Sequence, residues 1–292
     1  MTDKKSKLTR RKFIAVGSAA IAAPFVMKMT GTVPHVKAAA KEVDKKYAGM
    51  KSINTDQLAY RWMDRREIQN LMGKYVYYKL LRDETKLVDD FWADMSDACL
   101  GVNNGYYKGL DAIRAYYEAM HTNTAIRTKH MKDLFPLYFG SKTVKELHGV
   151  GSLLVDALTT CVIEQAEDGQ TAKAAWYVLG QDTDIHPEGP YSYLAYGAIA
   201  ADFIMVDDEW KIWHMVDIQE LTAPAGVNWT KDYPAPETLP EFASLAGKLQ
   251  PMPAPTVPAN VHTAYYKGRG FSPLVKVPEP YITFADTFSY GI

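Results

Sequence analysis

The fold is decided by the stretch TCVIEQAEDGQTAKAAWYVL, residues 160–179. Asp168-Gly169 separates two runs rich in β-branched, small and aromatic residues, and Asp-Gly between such runs is typical of a β-hairpin. A second pair of runs follows and turns at Asp207-Asp208 in the same way. Two successive hairpins predict an antiparallel sheet in the second half of the chain.

Helical spacing dominates upstream of these hairpins. Asp64 and Glu67 have the spacing of a capping box, which predicts a helix start. An apolar stripe then predicts a first helix to about Arg82: Ile68, Leu71, Met72, Tyr75 and Tyr78 or Lys79. Two further helices are expected near Leu87 and from about Leu110, with a short strand at 98–102 between them. Helices followed by antiparallel strands predict an α+β fold, with helices packed on one face of a curved sheet.

Composition and charge exclude several classes of protein. The 292 residues are 47% hydrophobic and 12% aromatic, which is enough for a folded core. Two cysteines exclude a disulfide-rich scaffold and CxxC metal or haem sites. Residues 1–40 hold eight Lys/Arg and one acid, and the remainder holds 25 bases and 33 acids, a net charge of −8. We expect no nucleic-acid partner, because phosphate binding depends on an excess of basic residues.

The first forty residues have the pattern of a targeting signal. Arg10-Arg11 precedes the weakly apolar stretch 13–27, and small residues at 38–40 offer a cleavage site. The paired arginines resemble a twin-arginine signal, which implies a partner in the twin-arginine export machinery and a periplasmic or extracellular location. The apolar stretch is shorter than the roughly 20 residues that span a bilayer. We expect no stable membrane span after processing, and a tethered protein if the signal stays uncleaved.

The sequence divides into four segments: a signal peptide at 1–40, a linker at 41–59, a patterned body at 60–221 and a C-terminal arm at 222–292. Eleven of the sixteen prolines lie after residue 222, so helix and central strand are not expected there. The arm is nevertheless rich in aromatic residues, unlike a disordered tail. We expect an extended arm that packs over the body or over a partner subunit.

Four passages of the body carry a resemblance to a known family: residues 67–75, 107–113, 162–172 and 207–214. With the order of helices and hairpins, they resemble the SnoaL-like branch of the nuclear transport factor 2-like superfamily. The resemblance implies a cone of curved sheet and helices around a blind apolar pocket, and a homodimer formed through the convex face of the sheet. Members include dehydratases, ketosteroid-isomerase-like enzymes, polyketide cyclases and subunits that only bind.

The resemblance also implies pocket residues on the first helix. Tyr75 matches a pocket tyrosine of the bile-acid dehydratase-like members, and Tyr78, about one turn on, is a second substrate-binding candidate. Leu80 stands where those dehydratases carry an aspartate, so this chain departs from their pattern. A core tyrosine with a satisfied hydroxyl is the alternative for Tyr75.

His214 is the predicted general base. Its spacing from Trp210 and Ile212 places all three on one face of a strand, which predicts that His214 points into the cone and faces Tyr75. Imidazole titrates near neutral pH and suits proton transfer. A core histidine that donates to a backbone carbonyl is the alternative. Trp176 is expected to form a stacking wall for the substrate, and Gln219 stands where related dehydratases have a ligand-binding arginine.

His148 is a third catalytic candidate. Related dehydratases have a histidine near the place of Asp156, and here a long insert, residues 120–151, precedes that place. The insert is expected to form a lid or a partner contact. Residues 141–148 are predicted to form a helix closed by Gly149. His148 is then the displaced proton-transfer histidine.

No cofactor or metal is expected from the motifs. Asp182, Asp184 and His186 approach a turn between hairpins and are interpreted as loop residues, and no P-loop, GxGxxG or GxSxG occurs. The sequence therefore predicts a cofactor-independent lyase (a dehydratase) or isomerase that acts on a cyclic or aromatic small molecule by acid–base catalysis. A small-molecule-binding protein without turnover, or an accessory subunit of an exported enzyme, is the alternative.

Overall fold

The computed structural model describes residues 55–82, 84–186, 189–226, 248–270 and 273–292. Residues Arg61–Ile292 form one compact unit. The predicted signal peptide and residues 41–54 of the predicted linker lie outside the described residues. Within the described part of the chain, no helix combines the length and the hydropathy needed to cross a bilayer.

The elements follow the predicted order. Helices α1 (Thr55–Leu80) and α2 (Thr85–Phe91) come first, then the short strands β1 (Cys99–Val102) and β2 (Gly105–Lys108). Helices α3 (Leu110–Leu134) and α4 (Pro136–Phe139) precede four long strands, and a two-residue strand and a 3₁₀ turn complete the described residues. These last elements are β3 (Ser152–Gln165), β4 (Thr171–His186), β5 (Gly189–Val206), β6 (Glu209–Pro224), β7 (Val257–Pro258) and the 3₁₀ turn Phe284–Asp286.

One seven-stranded sheet has the order β3-β4-β5-β6-β1-β2-β7. All neighbouring strands pair antiparallel except β6 and β1, which run parallel to each other. The predicted α+β class and both hairpins are confirmed. Asp207 and Asp208 both have positive φ, at 48° and 64°, which is the backbone that a two-residue hairpin turn requires.

The two faces of the sheet have different neighbours. The inner face packs against α1, α2 and α3, and on β4 it carries Ala172, Ala174, Trp176 and Val178. The outer face carries Ala175, Val216 and Ile218, which pack with Tyr290 from the end of the chain. Alternation along each strand thus separates the main core from a smaller outer cluster.

A β-bulge in β6 reverses the alternation. Phe203 pairs with Ile212, but the preceding Asp202 pairs with His214, so Trp213 is an extra residue in β6. Ile212 lies in the inner core, whereas His214 shares the outer face with Asp202. The prediction that His214 has the same phase as Ile212 and faces Tyr75 is therefore wrong, because it assumed an unbroken strand.

Helix boundaries also differ from prediction. Helix α1 begins at Thr55, so Asp64 lies inside it and is not a cap. Its carboxylate instead accepts hydrogen bonds from Gln165 Nε2 (2.5 Å) and Trp210 Nε1 (3.1 Å). Helix α3 continues to Leu134 and takes up the first half of the predicted insert. Residues 141–148 form successive turns and not the predicted helix.

Residues beyond 248 contact the sheet at two places. Strand β7 pairs with β2, and Tyr107 donates to the carbonyl of Pro253 (2.7 Å). Near the C-terminus, Ser289 Oγ (3.1 Å) and the Tyr290 amide (2.9 Å) donate to the carboxylate of Asp202. The described C-terminal residues thus cover part of the outer face, the face through which the resemblance implies a dimer. The dimer stays a prediction.

Candidate active site

Two tyrosine hydroxyls meet in the core between α1 and α3. The hydroxyl oxygens of Tyr75 and Tyr117 are 2.7 Å apart, and both residues are buried. Tyr116 lies next to Tyr117 with its ring edge-on to it. The pair is a hydrogen-bonded polar group within an otherwise apolar and aromatic core.

An ammonium group with two carboxylates lies beside this tyrosine pair. Lys79 Nζ is 3.1 Å from Asp156 Oδ2 and 3.3 Å from Asp217 Oδ2. The Lys79 and Asp156 side chains are 13% and 10% exposed, whereas Asp217 is 33% exposed. Asp217 is therefore the carboxylate of this cluster that solvent or a small molecule reaches most easily.

Local geometry explains how four elements supply these groups. Tyr75 and Lys79 are four residues apart on α1, so their side chains share one face of the helix. Asp217 lies on β6 beyond the bulge and pairs with Ile199 of the inner core. Without the extra Trp213, Asp217 would point to the outer face. The bulge therefore places Asp217 in the site and removes His214 from it.

Asp156 depends on a glycine in the neighbouring strand. It pairs with Gly180 of β4, and a Cβ added at Gly180 would lie 2.8 Å from Asp156 Oδ1 and 3.0 Å from the carbonyl oxygen of Val155. No side chain fits between the strand and this carboxylate. The absent side chain leaves the space that Asp156 occupies beside Lys79.

Burial and charge fix the protonation of the donors. Burial raises the pKa of Tyr75 and of Tyr117 well above the usual value, and Asp217 raises both further. Burial alone would lower the pKa of Lys79, but Asp217 and Asp156 outweigh it and the pKa is raised. At neutral pH both tyrosines are protonated and Lys79 is a cation.

The structure places the predicted substrate-binding residues at different sites. Trp176 is buried in the inner core, edge-to-face with Phe203. Tyr78 is half-buried against Phe91 of α2, with Lys86 Nζ 5.8 Å from its ring centroid. Gln219 is exposed, and its side-chain amide donates to Thr222 Oγ1. Of the six predicted site residues, the structure brings Tyr75 and Trp176 into one core.

His214 belongs to a separate buried network on the outer face. Its Nδ1 donates to Asp202 Oδ2 (2.9 Å), and Lys173 Nζ donates to Asp202 Oδ1 (2.5 Å). The backbone of Gly291 packs directly on the His214 ring. The role of His214 as a base opposite Tyr75 is excluded by this placement, because the sheet separates the two side chains.

His148 lies at the end of the turns that follow α4. Its ring packs on that of His121 of α3, with centroids 4.3 Å apart, and its Nε2 is 3.1 Å from the carbonyl oxygen of Arg82. Neither contact involves Tyr75, Lys79 or Asp217. A role in proton transfer at the tyrosine pair stays a prediction without a contact among the described residues.

Sequence reasoning missed Lys79, Asp156, Asp217 and Tyr117 as members of one site. A signal existed for Lys79, since its four-residue spacing from Tyr75 on an amphipathic helix places it on the same face. Asp217 carried no such signal, because its face depends on a bulge that periodicity alone does not reveal.

Comparisons with known proteins find solved structures that are similar to more than half of this chain at low sequence identity. No protein-family model and no curated protein matches the sequence. One similar structure is an NTF2-like protein with a cystatin-like fold from Novosphingobium aromaticivorans (19% identity, 59% of this chain and 92% of that chain, TM-score 0.37). Another is the hexachlorocyclohexane dehydrochlorinase LinA-type3 from Novosphingobium barchaimii (20% identity, 58% and 96%, TM-score 0.38).

Proposed function

We propose that the protein is a lyase or isomerase whose own side chains transfer a proton on a cyclic or aromatic small molecule. The carrying observation is the buried Tyr75–Tyr117 hydroxyl pair beside the ion pairs of Lys79. Proton-transfer enzymes need a base within reach of a C–H bond and donors for the oxygen that gains charge. The cluster supplies both kinds of group.

The tyrosine pair is the proposed donor. Two protonated hydroxyls hold two protons, and one proton is used in the hydrogen bond between Tyr75 and Tyr117. The other hydroxyl proton is then directed at a substrate oxygen, and its donor strength is increased by the first hydrogen bond. A raised pKa keeps this proton on the enzyme, so the pair stabilises an oxyanion by hydrogen bonding and does not protonate it.

Asp217 is the proposed base. It is the most exposed of the three charged groups, and it is near enough to both tyrosines to raise their pKa values. It would take a proton from the carbon next to a carbonyl while the tyrosine pair holds the developing oxyanion. In an isomerisation the proton returns to another carbon. In a dehydration it leaves with the β-hydroxyl as water, and a C=C bond forms.

The charge of the site favours a neutral substrate. Lys79, Asp156 and Asp217 together carry one net negative charge when all three are ionised. The exposed Gln219 is uncharged, whereas the dehydratases that the sequence resembles have an arginine at this place. Buried like charges repel at short range in a medium of low dielectric constant. We therefore expect neutral cyclic ketones and their hydroxylated derivatives to bind better than carboxylates.

Deuterium exchange tests this proposal without knowledge of the product. A panel of cyclic ketones, cyclohexenones and β-hydroxy cyclic ketones is incubated with protein in D₂O, and NMR follows deuterium incorporation next to the carbonyl. Asp217→Asn should slow exchange by about 10²–10⁴-fold because the base is lost. Tyr75→Phe should slow it by about 10²–10³-fold because one oxyanion donor is lost.

Matched controls separate the site from general damage. Tyr77→Phe alters an exposed tyrosine of the same helix, and Asp94→Asn alters an exposed aspartate outside the cluster. Both variants should catalyse deuterium exchange into the panel compounds at the wild-type rate. Panel members that bind the wild type without any exchange would contradict the catalytic proposal and favour a binding protein. Wild-type exchange in Asp217→Asn would contradict the role of this base.

Export by the twin-arginine route is proposed on the sequence alone. Arg10-Arg11, the weakly apolar stretch after them and the small residues at 38–40 support it. A twin-arginine route carries folded proteins, which agrees with two free thiols, a buried one at Cys99 and an exposed one at Cys161.

A further inference from the structure

A second cluster of ionisable side chains lies where α2, α3 and the turns at 141–151 meet. Glu84 directly precedes α2, His121 is in the middle of α3, and His148 is near the end of the turns. One donor atom from each residue lies within 4.8 Å of the other two. The cluster uses no side chain of the Tyr75–Asp217 site.

We propose that Glu84, His121 and His148 bind one divalent transition-metal ion of the Zn²⁺ type. Two imidazoles and one carboxylate form a donor set that zinc uses in proteins, at about 2.0–2.2 Å from the metal. Three atoms no more than 4.8 Å apart all lie within about 2.8 Å of a common point. Side-chain movements below about 1 Å bring them to coordination distance.

A hydrogen bond behind the ligand prepares His148. The carbonyl oxygen of Arg82 can only accept, so Nε2 of His148 is the donor of the 3.1 Å hydrogen bond. The neutral ring then keeps its lone pair on Nδ1. Metal-binding histidines usually donate their other ring N–H to a carbonyl or carboxylate in this way, which fixes the tautomer and the orientation of the ring.

The backbone around His148 is also held in place. The Gly149 amide donates to Thr128 Oγ1 (3.1 Å), and that hydroxyl donates to the carbonyl of Thr124 (2.9 Å). This chain of bonds ties the turn to the helix that carries His121. Gly149 has a φ of 75°, and a Cβ there would come within 3.2 Å of the Arg82 side chain. The turn can approach Arg82 this closely because residue 149 is a glycine.

Charge at the cluster favours a cation. The Glu84 side chain is only 2% exposed, and Oε2 is 3.4 Å from Nδ1 of His121. Burial of a carboxylate is costly unless a positive charge lies beside it. Arg82 is a nearby positive group, and its guanidinium is paired with Asp182 at 3.4 Å.

Three protein ligands leave a coordination position for water or another ligand. His121 and His148 are partly exposed, so that position faces the surface and not the core. An ion there would join the start of α2, the middle of α3 and the turns at 141–151. Binding should therefore raise the melting temperature, because an ion that prefers the folded state stabilises it by a free energy that grows with the logarithm of the ion's concentration.

Calorimetric titration with Zn²⁺ alone tests the site. The full chain is prepared without a histidine tag, treated with chelator and titrated at neutral pH, and melting temperatures are measured with and without Zn²⁺. Wild type should bind one ion per chain. His121→Ala and His148→Ala should each weaken binding by more than about 100-fold, since loss of a mere hydrogen-bond partner behind a ligand costs roughly 10–100-fold.

His130→Ala is the matched control, since His130 lies on the same helix as His121 and outside the cluster. It should bind Zn²⁺ with the affinity of the wild type, and Zn²⁺ should raise its melting temperature by the same amount. If either alanine variant fails to fold, the isosteric Glu84→Gln decides, and it should also lose the site. No binding by the wild type, or wild-type affinity in His121→Ala or Glu84→Gln, would overturn the proposal. These readouts do not depend on activity, so the two proposals can fail separately.

Discussion

Asp202→Ala should be among the most destabilising substitutions on the outer face of the sheet. The Asp202 carboxylate is fully buried and accepts four hydrogen bonds, from Lys173 Nζ (2.5 Å), His214 Nδ1 (2.9 Å), Ser289 Oγ (3.1 Å) and the Tyr290 amide (2.9 Å). Lys173 is also fully buried, with the rings of Phe284 and Phe288 about its ammonium at 4.6 and 4.5 Å. The carboxylate is thus the counter-charge of Lys173 and the anchor of the C-terminal residues.

The magnitude follows from what each substitution leaves behind. Asp202→Ala leaves a buried ammonium without its counter-charge, which costs about 3–5 kcal/mol. Lys173→Met should cost less, about 1.5–3 kcal/mol, because Asp202 keeps three donors and loses one charge-assisted bond. In the double variant neither buried charge remains. It should therefore be more stable than Asp202→Ala alone, although it carries one more substitution.

Urea unfolding followed by circular dichroism measures these differences. With a slope of about 3 kcal/mol per molar urea, Asp202→Ala should lower the unfolding midpoint by about 1 to 1.7 M. Lys129→Met is the control, because its partner Asp133 forms an exposed ion pair on α3 and the midpoint should not change. A double variant that loses the sum of the two single effects would refute the reasoning, since the charges would then be acting independently.

Two further predictions concern the inner face. Gly180→Ala should destabilise the protein by about 1–3 kcal/mol, because its Cβ would lie 2.8 Å from Asp156 Oδ1. Gly73→Ala in α1 has open space around the new Cβ and should stabilise the protein by about 0.5–1 kcal/mol. Urea unfolding midpoints compare the two variants, and equal effects would contradict the packing described at Gly180. Burial raises the pKa of Tyr75, Tyr116 and Tyr117 above 10.0, so the stability that these protonated tyrosines contribute is complete below pH 10 and is lost as the pH rises further. In an alkaline titration, the phenolate absorbance of the folded protein should therefore account for fewer than the 19 tyrosines of the chain until the protein unfolds. Titration of all 19 tyrosines in the folded protein would contradict the burial of these three.

Most of the fold could be predicted because local signals and tertiary structure agree. Asp168-Gly169 and Asp207-Asp208 both form the expected hairpin turns, and the short strand predicted at 98–102 is present as β1. Residues of this kind favour the backbone conformation of a tight turn by themselves, so the turn can be predicted without knowledge of contacts that are distant in sequence. The start of α1 could not be located in this way. Asp64 is a residue type that often caps helices, but its carboxylate accepts hydrogen bonds from the side chains of Gln165 and Trp210.

The candidate site was predictable on the helix and not on the sheet. The phase of α1 is unbroken, so spacing alone places Tyr75 in the core, and the same spacing puts Lys79 on that helix face although it was not predicted as a site residue. The partners of Lys79 come from β3 and β6, which are far away in the sequence. Asp156 was noted for its position and not for its charge. Its contact with Lys79 needs the space at Gly180, which only the pairing of β3 with β4 shows.

The bulge at Trp213 decides how chemistry is divided between the two faces. A strand that alternates without interruption would have placed His214 in the inner core with Ile212, and Asp217 on the outer face. One inserted residue exchanges them: Asp217 joins Lys79 and the tyrosine pair, and His214 joins Asp202 beneath the C-terminal residues. Each group then has a partner of suitable chemistry, a cation for the carboxylate and a carboxylate for the imidazole N–H. Asp217 and His214 have these partners only in this register, so the bulge is a requirement of the sheet and the site alike.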